Sequence, residues 1–271
     1  MSKIPNDIPS QNVMKDDFGW EIPVETVPIP SVGSVYPQDS PLYNRKTLQI
    51  KAMTAREEDI LSSAALIKEG TVITHLINSC LIDKSFDVRD MLLGDRNALM
   101  VSIRITGYGS QYDAEATCPE CAERSDQSFD LSALEIKPIE IDPVKPGENL
   151  FSFKLPVTKK NVKFRFMTGR DEEERSITAE RKKKLMPGVK IESGVTSRLE
   201  QLVVSIDSVI DRNKISQFIR NMPALDSKNL RTYISEHEPG IDMTTWMRCP
   251  HCSETSKITL PMGSNFFWPE R

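Results

Sequence analysis

Two copies of a short motif, Cys-Pro-x-Cys, contain four of the five cysteines in this chain. The first is Cys118-Pro119-Glu120-Cys121 and the second is Cys249-Pro250-His251-Cys252. A turn with this spacing brings two sulfurs close enough to bind one metal ion, and Zn²⁺ prefers four tetrahedral nitrogen or sulfur ligands. Two such turns complete one closed shell without a position for water or substrate. We therefore predict one structural Zn²⁺ ion, bound by Cys118, Cys121, Cys249 and Cys252.

Redox chemistry and disulfide formation are the competing interpretations of these cysteines. A thioredoxin-like Cys-x-x-Cys usually belongs to a βαβ unit and opens a helix, whereas polar, strand-forming residues follow both motifs here. A disulfide framework is typical of a short secreted chain, but this chain has 271 residues, an odd cysteine and no signal-peptide pattern. The spacing favours zinc. Cys80 is expected to be a small buried hydrophobe, and His251 is expected to point away from the metal shell.

Each motif lies between two stretches that are expected to be strands. Residues 113–117 and 125–131 flank the first motif, and residues 243–248 and 256–260 flank the second. A strand, a cysteine turn and a second strand form the zinc-ribbon arrangement. We therefore expect a β-hairpin around each motif.

The two motifs stand at equivalent positions of an internal repeat. A shift of 131 residues places Asp95, Leu99, Ile103, Gly109, Cys118, Pro119, Cys121, Glu123 and Ser125 on Asp226, Leu230, Ile234, Gly240, Cys249, Pro250, Cys252, Glu254 and Ser256. Upstream, a shift of 114 residues places Met53-Thr54 on Met167-Thr168, each followed by acidic residues that suit a helix start. These matches predict an α+β fold built from a duplicated unit of a strand, helices and a zinc-knuckle hairpin.

An amphipathic helix is expected between the anchors of each copy. Helical spacing is found for Ile73, Leu76, Ile77, Cys80 and Leu81 in the first copy and for Leu199, Leu202, Val203, Ile206, Val209 and Ile210 in the second. The predicted organisation is an extended arm over 1–46, repeat 1 over 47–131, a linker and strand over 132–161, repeat 2 over 162–262, and an aromatic tail over 263–271. One shared Zn²⁺ ion would join the two repeats.

Composition limits the classes of function. The chain is 38% apolar and 27% charged, with a net charge of −4 and no apolar run long enough to span a membrane. Nucleic-acid binding usually needs a basic face, and the one dense basic run, residues 181–184, follows the acidic run 171–174. The three histidines are scattered, and no phosphate loop or nucleophile elbow is present. We therefore expect that the protein is neither an enzyme nor a membrane protein and that it has no small-molecule substrate. Nucleic acid is disfavoured as a partner.

The two ends of the chain differ from the body. The arm is rich in proline and also contains apolar residues, among them Trp20, Val27, Ile29 and Tyr36. The tail contains Phe266-Phe267-Trp268. Apolar side chains in extended segments either fill the core of their own domain or contact a partner. Both possibilities stay open for these seven residues.

Several of these segments together resemble the baseplate hub protein family of contractile-tailed, T-even-like bacteriophages. The segments are residues 27–36, residues 53–59, the two Cys-Pro-x-Cys motifs and residues 265–269. The resemblance implies a non-enzymatic structural or assembly component of the baseplate hub, with hub, spike and tape-measure proteins as partners. It also implies location in the host cytoplasm during assembly and in the virion tail baseplate. A transient assembly chaperone and a zinc-ribbon nucleic-acid adaptor are the alternatives.

Overall fold

The computed structural model describes residues 12–15, 19, 21–185, 194–260 and 266–267. These residues form a mixed α+β structure, as predicted. The helices of this described part are α1 Ala55–Ser62, α2 Ala64–Glu69, α3 Val72–Cys80, α4 Leu93–Tyr108, α5 Gly169–Leu185, α6 Val195–Leu202, α7 Arg212–Asn221 and α8 Ala224–His237. Its strands are β1 Asn12–Lys15, β2 Glu21–Pro28, β3 Thr47–Lys51, β4 Gln111–Thr117, β5 Arg124–Asp130, β6 Glu135–Lys137, β7 Phe151–Lys154, β8 Asn161–Phe164, β9 Val203–Ile206, β10 Gly240–Asp242, β11 Thr244–Arg248 and β12 Thr255–Thr259.

The strands form small antiparallel sheets. Two sheets have three strands each, in the orders β1-β2-β3 and β7-β8-β9. Three further sheets have two strands each: β4-β5, β11-β12 and β10-β6. The two predicted hairpins around the cysteine motifs are thereby confirmed as β4–β5 and β11–β12. Strand β6 follows the first hairpin in the chain and β10 precedes the second, so their pairing connects the two halves.

Strand β2 lies inside the predicted arm but pairs with β3 of the predicted first repeat. Val27 stands opposite Leu48 in this register. Val27, Ile29 and Tyr36 are each less than 5% exposed. The predicted boundary after residue 46 therefore divides a hairpin, and residues 21–46 pack on the chain's own body.

The prediction of one helix across residues 199–210 is wrong. Helix α6 ends at Leu202, and Val203–Ile206 is strand β9, which pairs with β8. The β-branched side chains of this segment favour a strand, and the edge of β8 offers backbone partners that a longer helix would leave unpaired. Ile210 lies between β9 and α7 and is 76% exposed. The corresponding prediction for the first half is confirmed, since α3 covers most of the predicted segment.

Two helix starts have the same set of contacts. The backbone N–H and the hydroxyl of Thr54 donate to Glu57 Oε2 over 2.9 and 2.6 Å, and Lys51 donates to Oε1 over 2.9 Å. In the second half, the same groups of Thr168 donate to Asp171 Oδ2 over 2.8 and 2.9 Å. Arg165 binds that carboxylate over 2.5 and 2.6 Å. Each acid thus joins a helix start to a basic residue at, or directly after, the end of the preceding strand.

Helices α4 and α8 also match in position and in one buried contact. Asp95 in α4 accepts hydrogen bonds from the backbone and hydroxyl of Ser31, over 2.9 and 2.6 Å, and from the Tyr36 hydroxyl. Asp226 in α8 accepts two backbone N–H bonds and the Thr158 hydroxyl, over 2.7 to 3.0 Å. Both carboxylates are at most 1% exposed. Each holds a loop against the first turn of its helix.

The start of α4 touches the segment that follows α8. A Cβ atom on Gly94 would lie 1.8 Å from the carbonyl oxygen of Pro239. Only glycine therefore permits this approach of the two backbones. The contact lies beside the β10-β6 pair and adds a second connection between the halves.

The described C-terminal residues fill the core. Phe266 and Phe267 are 1% and 5% exposed, and the ring of Phe266 contacts Tyr112 edge to face at 5.4 Å. The carbonyl oxygen of Phe266 accepts a hydrogen bond of 2.7 Å from Arg104 Nε. Arg104 is itself 1% exposed and binds the carbonyls of Gly109 and Gln111 over 2.8 and 3.0 Å. This end of the chain is thus tied to α4 and β4.

Candidate metal centre

The two cysteine turns have the same backbone conformation. In the first, the N–H of Cys118 donates to the carbonyl of Glu123, and the N–H of Ala122 donates to the carbonyl of Cys118, both over 2.9 Å. The second turn repeats both bonds at the same distance, from Cys249 to Glu254 and from Ser253 to Cys249. Ala122 and Ser253 both have positive φ, 61° and 63°. L-residues rarely adopt this conformation, so its repetition marks two closely similar turns.

The hairpins bring the four motif cysteines together. Their Sγ atoms all lie within 4.8 Å of one another. Two of these separations cross between the halves: Cys118 Sγ to Cys252 Sγ is 3.8 Å and Cys121 Sγ to Cys249 Sγ is 3.6 Å. Four sulfurs placed tetrahedrally about 2.3 Å from one ion would be separated by about 3.8 Å. The cluster is thus a candidate metal site whose spacing fits a tetrahedral ion.

The surroundings of the sulfurs favour a closed site. Cys118 and Cys249 are each 1% exposed, while Cys121 and Cys252 are partly exposed. The backbone N–H of Cys252, and then that of His251, lower the pKa of Cys249 to about 6. The N–H of Glu123 also lowers the pKa of Cys121, but burial and the neighbouring thiols raise it to about 12. Four crowded thiols do not all ionise by themselves, and a bound cation would replace their protons.

The remaining cysteine and the motif histidine lie outside the cluster. Cys80 is fully buried. Its pKa is raised to about 12, mainly by burial and secondly by the negative charge of Glu57. It is the buried hydrophobe that the sequence predicted. His251 is exposed and is not among the residues that could share the ion.

The residues considered for partner contact fall into two groups. Trp20 and Trp268 lie outside the described residues. The others are all buried in the chain's own core: Val27, Ile29, Tyr36, Phe266 and Phe267. Partner contact by these side chains stays a prediction, and it would require their segments to leave the core.

Sequence reasoning missed several buried charges that hold the halves in place. Arg104 is one example, and the contacts of Asp95 are another. The recurrence of Asp95 as Asp226 was visible in the repeat, but nothing local identified the distant loops that they bind. Some of these partners are backbone N–H groups, which leave no trace in residue identity, and the others are the hydroxyls of Ser31, Tyr36 and Thr158.

The sequence model of one protein family, described as T4 bacteriophage base plate protein, matches residues 37–268. The chain belongs to this family. No curated protein and no solved structure matches the chain. The span shared with the T4 base plate protein family includes α1, both hairpins and all four clustered cysteines. The resemblance to a base plate protein of T4-like phages, which the sequence motifs indicated, is thereby confirmed.

Membership of the T4 base plate protein family indicates a structural or assembly role in the phage base plate, in contact with other tail proteins. Within the part of the chain that the structure describes, no helix combines the length and apolar character needed to cross a lipid bilayer.

Proposed function

We propose that this chain is a non-enzymatic structural or assembly component of the baseplate hub of a contractile tail. A single Zn²⁺ ion holds its two halves together as a rigid block that contacts neighbouring tail proteins. The main observation behind the proposal is the cluster of four cysteines in a chain that belongs to the base plate protein family. Each half supplies two of the four sulfurs, so neither half completes the shell alone.

The choice of zinc rests on the donor set. Four thiolates at tetrahedral spacing are typical of structural zinc sites, and the shell leaves no ligand position for water or substrate. The ion would stabilise the folded chain and would not act on a substrate. Structural zinc contributes ~10 to 16 kcal/mol in small peptides, and even part of this energy is large beside the ~5 to 15 kcal/mol stability of a typical domain.

The matched contacts of the two halves support an internal duplication. The carboxylates of Glu57 and Asp171 occupy equivalent positions, as do those of Asp95 and Asp226. The cysteine turns agree even in their positive φ. In this proposal the ion joins two related units at equivalent points.

The packing of the described residues near both ends of the chain fits a rigid block rather than a loose adaptor. Residues 21–46 pair with and pack on the body, and Phe266 and Phe267 close the core beside Arg104. The surfaces that contact hub, spike or tape-measure proteins are therefore expected on the folded body and on the segments beyond the described residues.

The test is to follow the chain through tail assembly. A tagged copy expressed during phage infection should co-purify with baseplate hub components, and mass spectrometry of purified virions should detect it as a tail protein. Co-purification with assembly intermediates without presence in virions would support the transient chaperone instead. Absence from both would overturn a hub role.

A further inference from the structure

The outward faces of the two hairpins differ in charge. Side chains alternate between the faces of a strand, and the exposed positions of each hairpin define its outward face. On the first hairpin this face, the acidic face, is formed by Asp113, Glu115, Arg124 and Asp126. On the second hairpin it is the basic face, formed by Trp246, Arg248 and Lys257. Two hairpins of the same structure thus present outward faces of opposite charge.

The acidic face holds an unfavourable pair. Glu115 and Asp126 stand directly opposite each other in the β4–β5 register. Like charges in this arrangement destabilise a hairpin. Arg124 binds Glu115 at 3.2 Å, but both side chains are more than half exposed, so the pair contributes little. Cations supplied from outside would relieve the repulsion.

The basic face supplies the complementary groups at the matching positions. The shift of 131 residues places Glu115 on Trp246 and Asp126 on Lys257, and these two residues also stand opposite each other. Trp246 is 67% exposed. A large aromatic ring among cations is typical of the anchor of an interface. Among the described residues, the carboxylate paired with Lys257 is that of Asp242, at 3.9 Å.

We propose that the basic face of one copy docks on the acidic face of a second copy. Trp246 and Lys257 of one chain cover Glu115 and Asp126 of the next. The contact uses different faces on its two sides, so each pair of chains leaves one acidic and one basic face free, and further copies form a ring or a filament. Two hairpin faces form a small interface, so the association is weak. This inference goes beyond the proposed function and requires only the hairpins, whatever ion they hold.

Paired charge variants of the full-length protein test the docking. The first variant carries Trp246→Glu and Lys257→Glu, and the second carries Glu115→Lys and Asp126→Lys. Sedimentation velocity over a concentration series at low salt should show self-association of the wild type, weakened by added salt. Each variant alone should have its dissociation constant raised at least about tenfold. Their mixture should restore association, because the first keeps the acidic face, the second keeps the basic face, and the two reversed faces are also opposite in charge.

Ile210→Ala is the matched control, because Ile210 is also an exposed apolar residue but lies between β9 and α7, outside both hairpins. It should associate as the wild type does. A wild type that stays monomeric at low salt, or variants that do not restore association when mixed, would overturn the proposal. So would single-stranded DNA binding, measured by fluorescence anisotropy, that the first variant abolishes while self-association is unchanged; this outcome would assign the face to nucleic acid.

Discussion

Cys121 Sγ lies 3.6 Å from Cys249 Sγ, although 128 positions separate the two residues in the chain. The two sulfurs belong to different hairpins and to different halves. Their approach makes the cysteine cluster a long-range connection rather than a local turn. An ion at this point would oppose separation of the halves, as do the β10-β6 pair and the Gly94 contact.

The helix start at Thr54 should make the protein sensitive to acid. Burial raises the pKa of Glu57, but hydrogen bonds from Ser79, Thr54 and Lys51 outweigh it and lower the pKa to about 2. The folded pKa lies below the unfolded value, so this stabilisation is present above about pH 4.5 and is lost as the pH falls toward 2. Glu57→Gln should lower the free energy of unfolding at neutral pH by about 2 kcal/mol and flatten its acid dependence. Urea unfolding at neutral and acidic pH checks this, and an unchanged acid slope would contradict it.

Asp95 should have the opposite effect on the pH dependence of stability. Burial raises its pKa to about 6, although hydrogen bonds from Ser31 and Tyr36 lower it. The folded pKa lies above the unfolded value, so this contribution to stability is present below about pH 4 and is lost as the pH rises through 6. Asp95→Asn cannot ionise and keeps an oxygen acceptor. Its free energy of unfolding should therefore lack the decrease of about 2 kcal/mol between these pH values. Thermal unfolding of both proteins across this range measures the difference, and parallel pH profiles would refute the assignment.

Gly94→Ala should disrupt the contact between α4 and the segment after α8. The new Cβ would meet the Pro239 oxygen at 1.8 Å, so the backbones must separate. We expect the free energy of unfolding to fall by about 2 to 3 kcal/mol. Gly194→Ala is the control, since φ there is −60° and the nearest atom to its Cβ is 3.8 Å away. Equal stability of the two variants in chemical denaturation would show that the backbone contact is absent.

Phe266→Ala should destabilise the core. The side chain is 1% exposed and contacts Tyr112 and Phe267. Its truncation leaves a cavity, and we expect a loss of about 3 to 5 kcal/mol in the free energy of unfolding. Calorimetry of this variant beside Ile210→Ala, which removes an exposed side chain, measures the difference. A melting temperature equal to that of the wild type would instead point to a partner-contact role.

Sequence patterns predicted those parts of the fold that depend on residues close together in the chain. The hairpins and the caps at Thr54 and Thr168 follow from turn residues, alternation and side-chain acceptors within a few positions. The segment after Leu202 was predicted to be helical from its apolar spacing, although its β-branched residues suit a strand. The free edge of β8 decided between them, and that edge is distant in the sequence.

The same distinction applies to the candidate site. The proposed ligand set follows from two cysteine pairs, because four sulfurs complete one shell. The supporting contacts did not follow from the sequence. The hydrogen bonds from Ser31 to Asp95 and from Arg104 to Phe266 join residues 64 and 162 positions apart. The acidic and basic faces could be defined only from the strand register, which places Trp246 opposite Lys257.

The zinc content of knuckle variants tests the central claim most directly. Elemental analysis of the purified full-length chain should find one zinc per chain. The double variant Cys118→Ser with Cys121→Ser and the double variant Cys249→Ser with Cys252→Ser should each lose the metal and unfold at lower temperature, because each keeps only half of the shell. Cys80→Ala, which changes a thiol outside the cluster, should keep the zinc. Retention of one zinc per chain by either double variant, or a wild type without zinc, would contradict a single ion shared by the two halves.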